Sequence, residues 1–299
     1  DSIQLHASQE WNIGSGRLVI NSNISDTDYS VSPSTSYAYQ IEKTGAGELA
    51  LETSGSTDWT GGIKLSEGRV IATVGGGMGA SALGTGIITF NGGILQLSRD
   101  HNESTFSNEF SLTNNLVSNG ELTIYSRYDT NIENADSASN FVRLDADTTI
   151  KTKGGSLFIQ KDITEAGSGT NLTVESDRAV ILLGDSGWTG ETNVTSGALV
   201  FGGENNTPGQ TGAITVESSG YVGTGINNNV SQFLSEINPT DSTGSIGFDT
   251  DPDNATDTFS DAIDLTGFHA DIRLGSVTSA ILSGTITPQG TDYRFGSGG

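Results

Sequence analysis

Apolar residues in this chain come in short runs, each cut off by a cluster of Gly, Ser, Asn or Asp. Residues 17–20 (RLVI), 86–90 (GIITF), 93–97 (GILQL), 121–125 (ELTIY), 156–159 (SLFI), 179–183 (AVILL) and 198–201 (ALVF) have the length and β-branched content of strands. The polar clusters between them are predicted turns, because Gly and Asn accept backbone conformations that bulkier residues resist. The helical period is nearly absent. It is clear only at residues 229–237 (NVSQFLSEI), where Val230, Phe233, Leu234 and Ile237 share one face.

An antiparallel sandwich and a parallel solenoid both fit such a pattern, and internal repetition separates them. Residues 58–72 (DWTGGIKLSEGRVIA) match residues 187–201 (GWTGETNVTSGALVF), so Trp59 aligns with Trp188 and Gly68 with Gly197. Residues 86–90 then align with 212–216 (GAITV), and Trp11 with residues 16–20 forms a fainter third copy. Repeated units favour an all-β, right-handed parallel β-helix, a solenoid with irregular insertions. With coils of about 20 to 25 residues stacked about 4.8 Å apart, roughly a dozen coils make a rod about 60 Å long. The predicted organisation is a solenoid over residues 1–224 with two or three degenerate repeats. An acidic insertion with a short helix follows over 225–262, then a C-terminal β segment over 263–299 that continues the solenoid. Segments 98–140 and 225–262 are expected to stand off the rod.

These residues also resemble the autotransporter-associated β-strand repeat of bacterial surface proteins. The resemblance rests on residues 45–51 (GAGELAL), 59–62 (WTGG), 68–71 (GRVI), 83–86 (LGTG) and 91–97 (NGGILQL), with a partial second match over 179–224. Residues 281–295 (ILSGTITPQGTDYRF) look like a segment common in long members of that group. The resemblance implies a passenger-like β-helix on a bacterial surface, and implies little about a ligand, since such repeats serve adhesion, aggregation, surface layers and spacing alike.

Charge narrows the partners. Thirteen Lys and Arg against 36 Asp and Glu leave a net charge of −23, so neither nucleic acid nor an anionic membrane is an expected partner. No apolar stretch approaches the roughly 20 residues that span a bilayer. The sequence has no Cys, which excludes disulfides and thiolate chemistry. It opens on Asp1-Ser2-Ile3 without an initiator Met or leader, as expected of a processed, exported segment.

Candidate chemistry is sparse. His6, His101 and His269 are isolated, and neither an H-E-x-x-H pattern nor a Gly-x-Ser-x-Gly elbow occurs. Acidic pairs are inevitable among 36 carboxylates and do not by themselves mark a glycosidase. The glycine-rich stretch 75–84 lacks the Gly-Lys-Ser/Thr ending of a phosphate loop and reads as a turn. The candidate metal site is Asp249, Asp251, Asp253 and Asp257, whose alternating oxygens resemble the start of a calcium loop. Asn254 and Ser260 replace the Gly and Glu of that loop, so a solvated acidic insertion is the competing reading. Asn-x-Ser/Thr sites at Asn23, Asn102, Asn171, Asn193, Asn205, Asn229 and Asn254 permit glycosylation outside the cell. Trp59 and Trp188, recurring at one repeat position, are expected to pack inside, and Trp11 to cap the first coil. The expected function is an extracellular structural or adhesive module. Its partners are other copies of itself, neighbouring surface domains or glycans. A carbohydrate-binding or polysaccharide-cleaving β-helix is the alternative.

Overall fold

Short strands with inward aliphatics and glycine corners stack here into the right-handed parallel β-helix expected from the sequence, a solenoid of about ten turns with 53% of its residues in strands. This computed structural model describes residues 2–28, 30, 34–52, 59–74, 81–99, 109–135, 140–202, 213–225, 230–249 and 257–296. Among the described residues every strand pairing is parallel except one small hairpin, Thr27–Asp28 with Thr35–Ser36.

Three sheets wrap the core. The first stacks Gln9–Asn12, Ile41–Thr44, Ile63–Leu65, Ile88–Phe90, Leu116–Ser118, Phe141–Leu144 and Asp162–Glu165. The second runs from Arg17–Ile20 through Glu48–Leu51, Arg69–Val74, Ile94–Arg99, Glu121–Ser126 and Thr148–Gly154 to Leu172–Leu182. A third face begins with Glu109–Leu112, Asp129–Ile132 and Leu157–Ile159, and joins the second within the long strand Leu172–Leu182. From there Thr192–Phe201 and Ile214–Thr224 also run through the corner, with the register shifting beside Glu175 where the strand bends. Ser245–Phe248 and Arg273–Gly275 extend the third face.

Alternate residues of each strand point inward and pile on their neighbours in register. On the first sheet Ile41, Ile63, Ile88, Leu116, Val142 and Ile163 form one continuous buried ladder. On the second, Leu49, Val70, Leu95 and Ile124 do the same. On the third, Leu157, Val180, Leu199, Val222, Ile246 and Leu274 do so. Each such side chain contributes roughly 1.5–3 kcal/mol of transfer free energy, which is how a chain without disulfides holds together.

The corners explain the repeated glycines. Gly68 and Gly197 have φ of +67° and +72°, in the left-handed region. A Cβ on Gly68 would lie 2.5 Å from the carbonyl oxygens of Gly45 and Gly47 in the coil below, and one on Gly197 would lie 2.5 Å from that of Ser176.

Several expectations change in detail. Coils are more uneven than the expected 20 to 25 residues: Val180 pairs with Leu199, 19 residues on, whereas Leu95 pairs with Ile124, 29 residues on. Long coils leave about ten turns rather than a dozen. The aligned repeats sit on different sheets, since Ile63–Leu65 belongs to the first and Thr192–Phe201 to the second. What recurs is a local device, an inward Trp followed by a glycine corner, set at two different corners of the solenoid. The described parts of 98–140 lie in the ladders, not off the rod. Within 225–262, the helix Val230–Glu236 buries Val230 and Phe233 against the core, and Ser245–Phe248 is a ladder strand.

Candidate functional site

The solenoid buries several polar side chains, bonded partly to backbone and partly to other side chains. Asp26 is fully buried, and its carboxylate accepts from the backbone N–H groups of Tyr39, Thr60 and Gly61 at 3.1–3.2 Å and from the Thr60 hydroxyl. It clasps three segments at one corner. Lys43 occupies an inward position beside Leu65, yet its Nζ reaches the carbonyls of Thr44, Gly45 and Glu67 at 2.9, 2.6 and 3.0 Å. Lys161 is also fully buried, and donates to Oδ1 of Asn140 at 3.0 Å. Desolvation pulls both amines below the ordinary lysine pKa, for Lys43 against the opposing pull of Glu67.

Of the four predicted calcium residues, Asp249 and Asp257 are among the described residues. Asp249 is fully buried. Its Oδ2 accepts from the Tyr221 hydroxyl at 2.7 Å, and its Oδ1 from the backbone of Val277 and Thr278 at 2.8 and 3.1 Å and from the hydroxyls of Ser276 and Thr278. Five protein donors thus surround it, and it fastens the turn after Arg273–Gly275 to the coil below. Burial, then the neighbouring Asp249 charge, pushes the Tyr221 hydroxyl well above its ordinary pKa. Asp257 opens the strand Asp257–Phe259 and is nearly buried. Asp251 and Asp253 lie outside the described residues, as do His101, Asn102, Asn205, Asn229 and Asn254. Among the described residues no three or more His, Asp and Glu cluster as a metal would require. His6 is exposed, and His269 accepts from the Asp271 backbone at 3.1 Å on the surface.

Trp59 and Trp188 are both buried; Nε1 of the first donates to the Tyr39 carbonyl at 2.8 Å, that of the second to the Thr192 hydroxyl at 3.0 Å. Trp11 is half-buried on Gln9–Asn12 and packs against the core from the first coils.

Sequence reasoning missed a groove of about 450 Å³ on the outside of the first sheet. It spans five coils, from the corner residues Gln40 and Gly61 that precede Ile41–Thr44 and Ile63–Leu65 to Arg143 on Phe141–Leu144. The register places Lys64, Thr89, Val117 and Arg143 in one outward column, and the positions on either side bring in Gln40, Ile87 and Asn115, then Asn119 and Asp145. Gly61 and Gly86 keep the floor low, because a Cβ on either would strike backbone of the adjacent coil. At the far end the Arg143 guanidinium grips Asp145 with two hydrogen bonds of 2.6 and 3.0 Å and lies 5.7 Å from the Phe141 ring centre. That grip raises the Arg143 pKa further. Among the described residues the terminal rungs expose apolar side chains: Leu18 and Val19 at one end, Ile281, Tyr293 and Phe295 at the other, the last two stacked at 6.2 Å. No helix among the described residues is long and apolar enough to cross a membrane. Comparison of the chain with protein-family models, with curated proteins and with solved structures finds no match.

Proposed function

We propose that this chain is a non-catalytic structural and adhesive module of the bacterial cell surface, a stiff anionic rod whose ends join further coils, either of neighbouring domains or of other copies of itself. The observation that carries this reading is the pairing of strand edges with exposed apolar side chains at both ends: Leu18 and Val19 on Arg17–Ile20, and Ile281, Tyr293 and Phe295 beyond Arg273–Gly275. A strand with one unpaired edge is a template for another strand. Because all the stacked strands run parallel, one end differs from the other, and contact between them is head-to-tail and open-ended. The net charge of −23 opposes this contact at low salt. The polar exterior and the resemblance in residues 45–97 support a place outside the cell.

Light scattering over a concentration series tests the assembly arm. Self-association is expected to grow with protein concentration, to strengthen from about 20 mM to about 300 mM salt as charges are screened, and to weaken in Phe295→Lys and Leu18→Lys. Monomers at every concentration, with and without calcium, would sink it. Calcium remains a candidate ligand of the acidic segment around Asp251 and Asp253. Its binding is expected to raise the melting temperature and to be lost in Asp251→Asn/Asp253→Asn.

A further inference from the structure

The outer groove on the first sheet is uncharged at its centre. In a molecule carrying −23, the outward residues of its two central rungs, Ile87, Thr89 and Asn91 on one and Asn115, Val117 and Asn119 on the next, bear no charge. The Thr89 and Asn119 side chains make no hydrogen bond among the described residues, so their donors and acceptors face solvent. The neighbouring rungs hold their charges in pairs, Lys64 with Glu42 at 3.0 Å and Arg143 with Asp145 at 2.6 Å. The groove crosses four inter-strand spacings, about 19 Å.

From this we infer that the groove binds a short stretch of an uncharged, linear oligosaccharide lying along the rod axis. Hydroxyl and carboxamide side chains are the groups that match sugar hydroxyls as both donor and acceptor. Ile87, which is exposed, supplies an apolar patch for a sugar C–H face. An acidic glycan meets no free cation there, since the Arg143 guanidinium is already held in a fork by Asp145. An extended peptide binds by adding a strand to a sheet edge, and this floor is a sheet face whose backbone is already spent on the ladders. The inference deepens the adhesive half of the proposed function and rests on it.

The test is calorimetric titration of the whole chain with linear tetrasaccharides of glucose, mannose, galactose and N-acetylglucosamine, beside a tetragalacturonate and an uncharged extended octapeptide. At least one neutral tetrasaccharide is expected to bind. Thr89→Trp, which stands a ring on the floor without touching the core, is expected to abolish binding, and Asn119→Ala to weaken it about three- to tenfold, with unchanged melting curves. Binding of the tetragalacturonate or peptide alone, no binding of any neutral sugar, or equal binding by Thr89→Trp overturns the inference. Beads coated with the wild-type or Thr89→Trp chain separate the two readings. Adhesion that Thr89→Trp leaves intact removes the groove and keeps the adhesive function. Sugar binding in solution without bead adhesion keeps the groove and removes the adhesive function.

Discussion

Single residues in this rod are judged by what the neighbouring coil puts against them. At Gly68 any Cβ meets two carbonyl oxygens at 2.5 Å while the backbone stands at positive φ. Gly68→Ala is therefore expected to cost about 2–4 kcal/mol, the conformational penalty plus displacement of the lower coil, read as a lower urea midpoint at unchanged m-value. The two buried lysines give opposite expectations. Lys43→Met strands the Gly45 and Glu67 carbonyls that the amine now serves, the Thr44 carbonyl keeping its bond from Ile13, so it destabilises. Lys161→Met removes a buried amine with one acceptor, leaves Asn140 its bond from Ala135, and is neutral or stabilising. The pH dependence follows from the lowered lysine pKa values. The unfolded chain keeps these protons to higher pH than the folded one, so stability rises as pH climbs from the folded value toward 10.5. Tyr221 acts the other way: its raised pKa retains a proton that the unfolded chain loses above pH 10, so stability falls there. Melting Lys161→Met from pH 7 to 10 is expected to show a flatter rise than wild type. Corner glycines and inward tryptophans were legible because each carries its reason locally. The clasps of Asp26 and Asp249 were not, because their partners lie up to 35 residues away in sequence.

Elements differ in how openly the sequence announces them. The helix Val230–Glu236 was plain from Val230, Phe233, Leu234 and Ile237 at helical spacing: it buries Val230 and Phe233, half-buries Leu234 and is followed by the buried Ile237, while the burial of Glu236 gave no such signal. Phe233 meets Phe248 edge to face, with ring centres 6.0 Å apart, and Phe248 lies 4.9 Å from Phe259. Phe233→Ala is expected to cost about 3–5 kcal/mol, read by thermal unfolding, with most of the far-UV strand signal retained below the transition. The strand Leu172–Leu182 was legible only in its second half, since Glu175, Asp177 and Arg178 interrupt the apolar alternation. The structure shows them as the bend of one continuous strand. Sheet assignment of the repeats was hidden for a different reason: Gly68 and Gly197 mark corners, but which corner depends on every coil length before them. The groove was invisible for the same cause. Thr89, Val117 and Arg143 meet only once the 28- and 26-residue steps between their strands are known.

The hydrogen bonds of every ladder lie along the axis of the molecule, one coil to the next. Traction applied to the two ends therefore loads those bonds head-on, and a rung opens by peeling rather than by shearing many bonds at once. Each coil let go lengthens the tether by about 65–105 Å, the contour of the 19 to 29 residues that a coil spans. Single-molecule stretching is expected to give a train of small force drops, unevenly spaced as the coil lengths are, instead of one tall peak. A load carried by such a thread is released a coil at a time, so the stacking that makes the rod stiff at rest also makes it a damper.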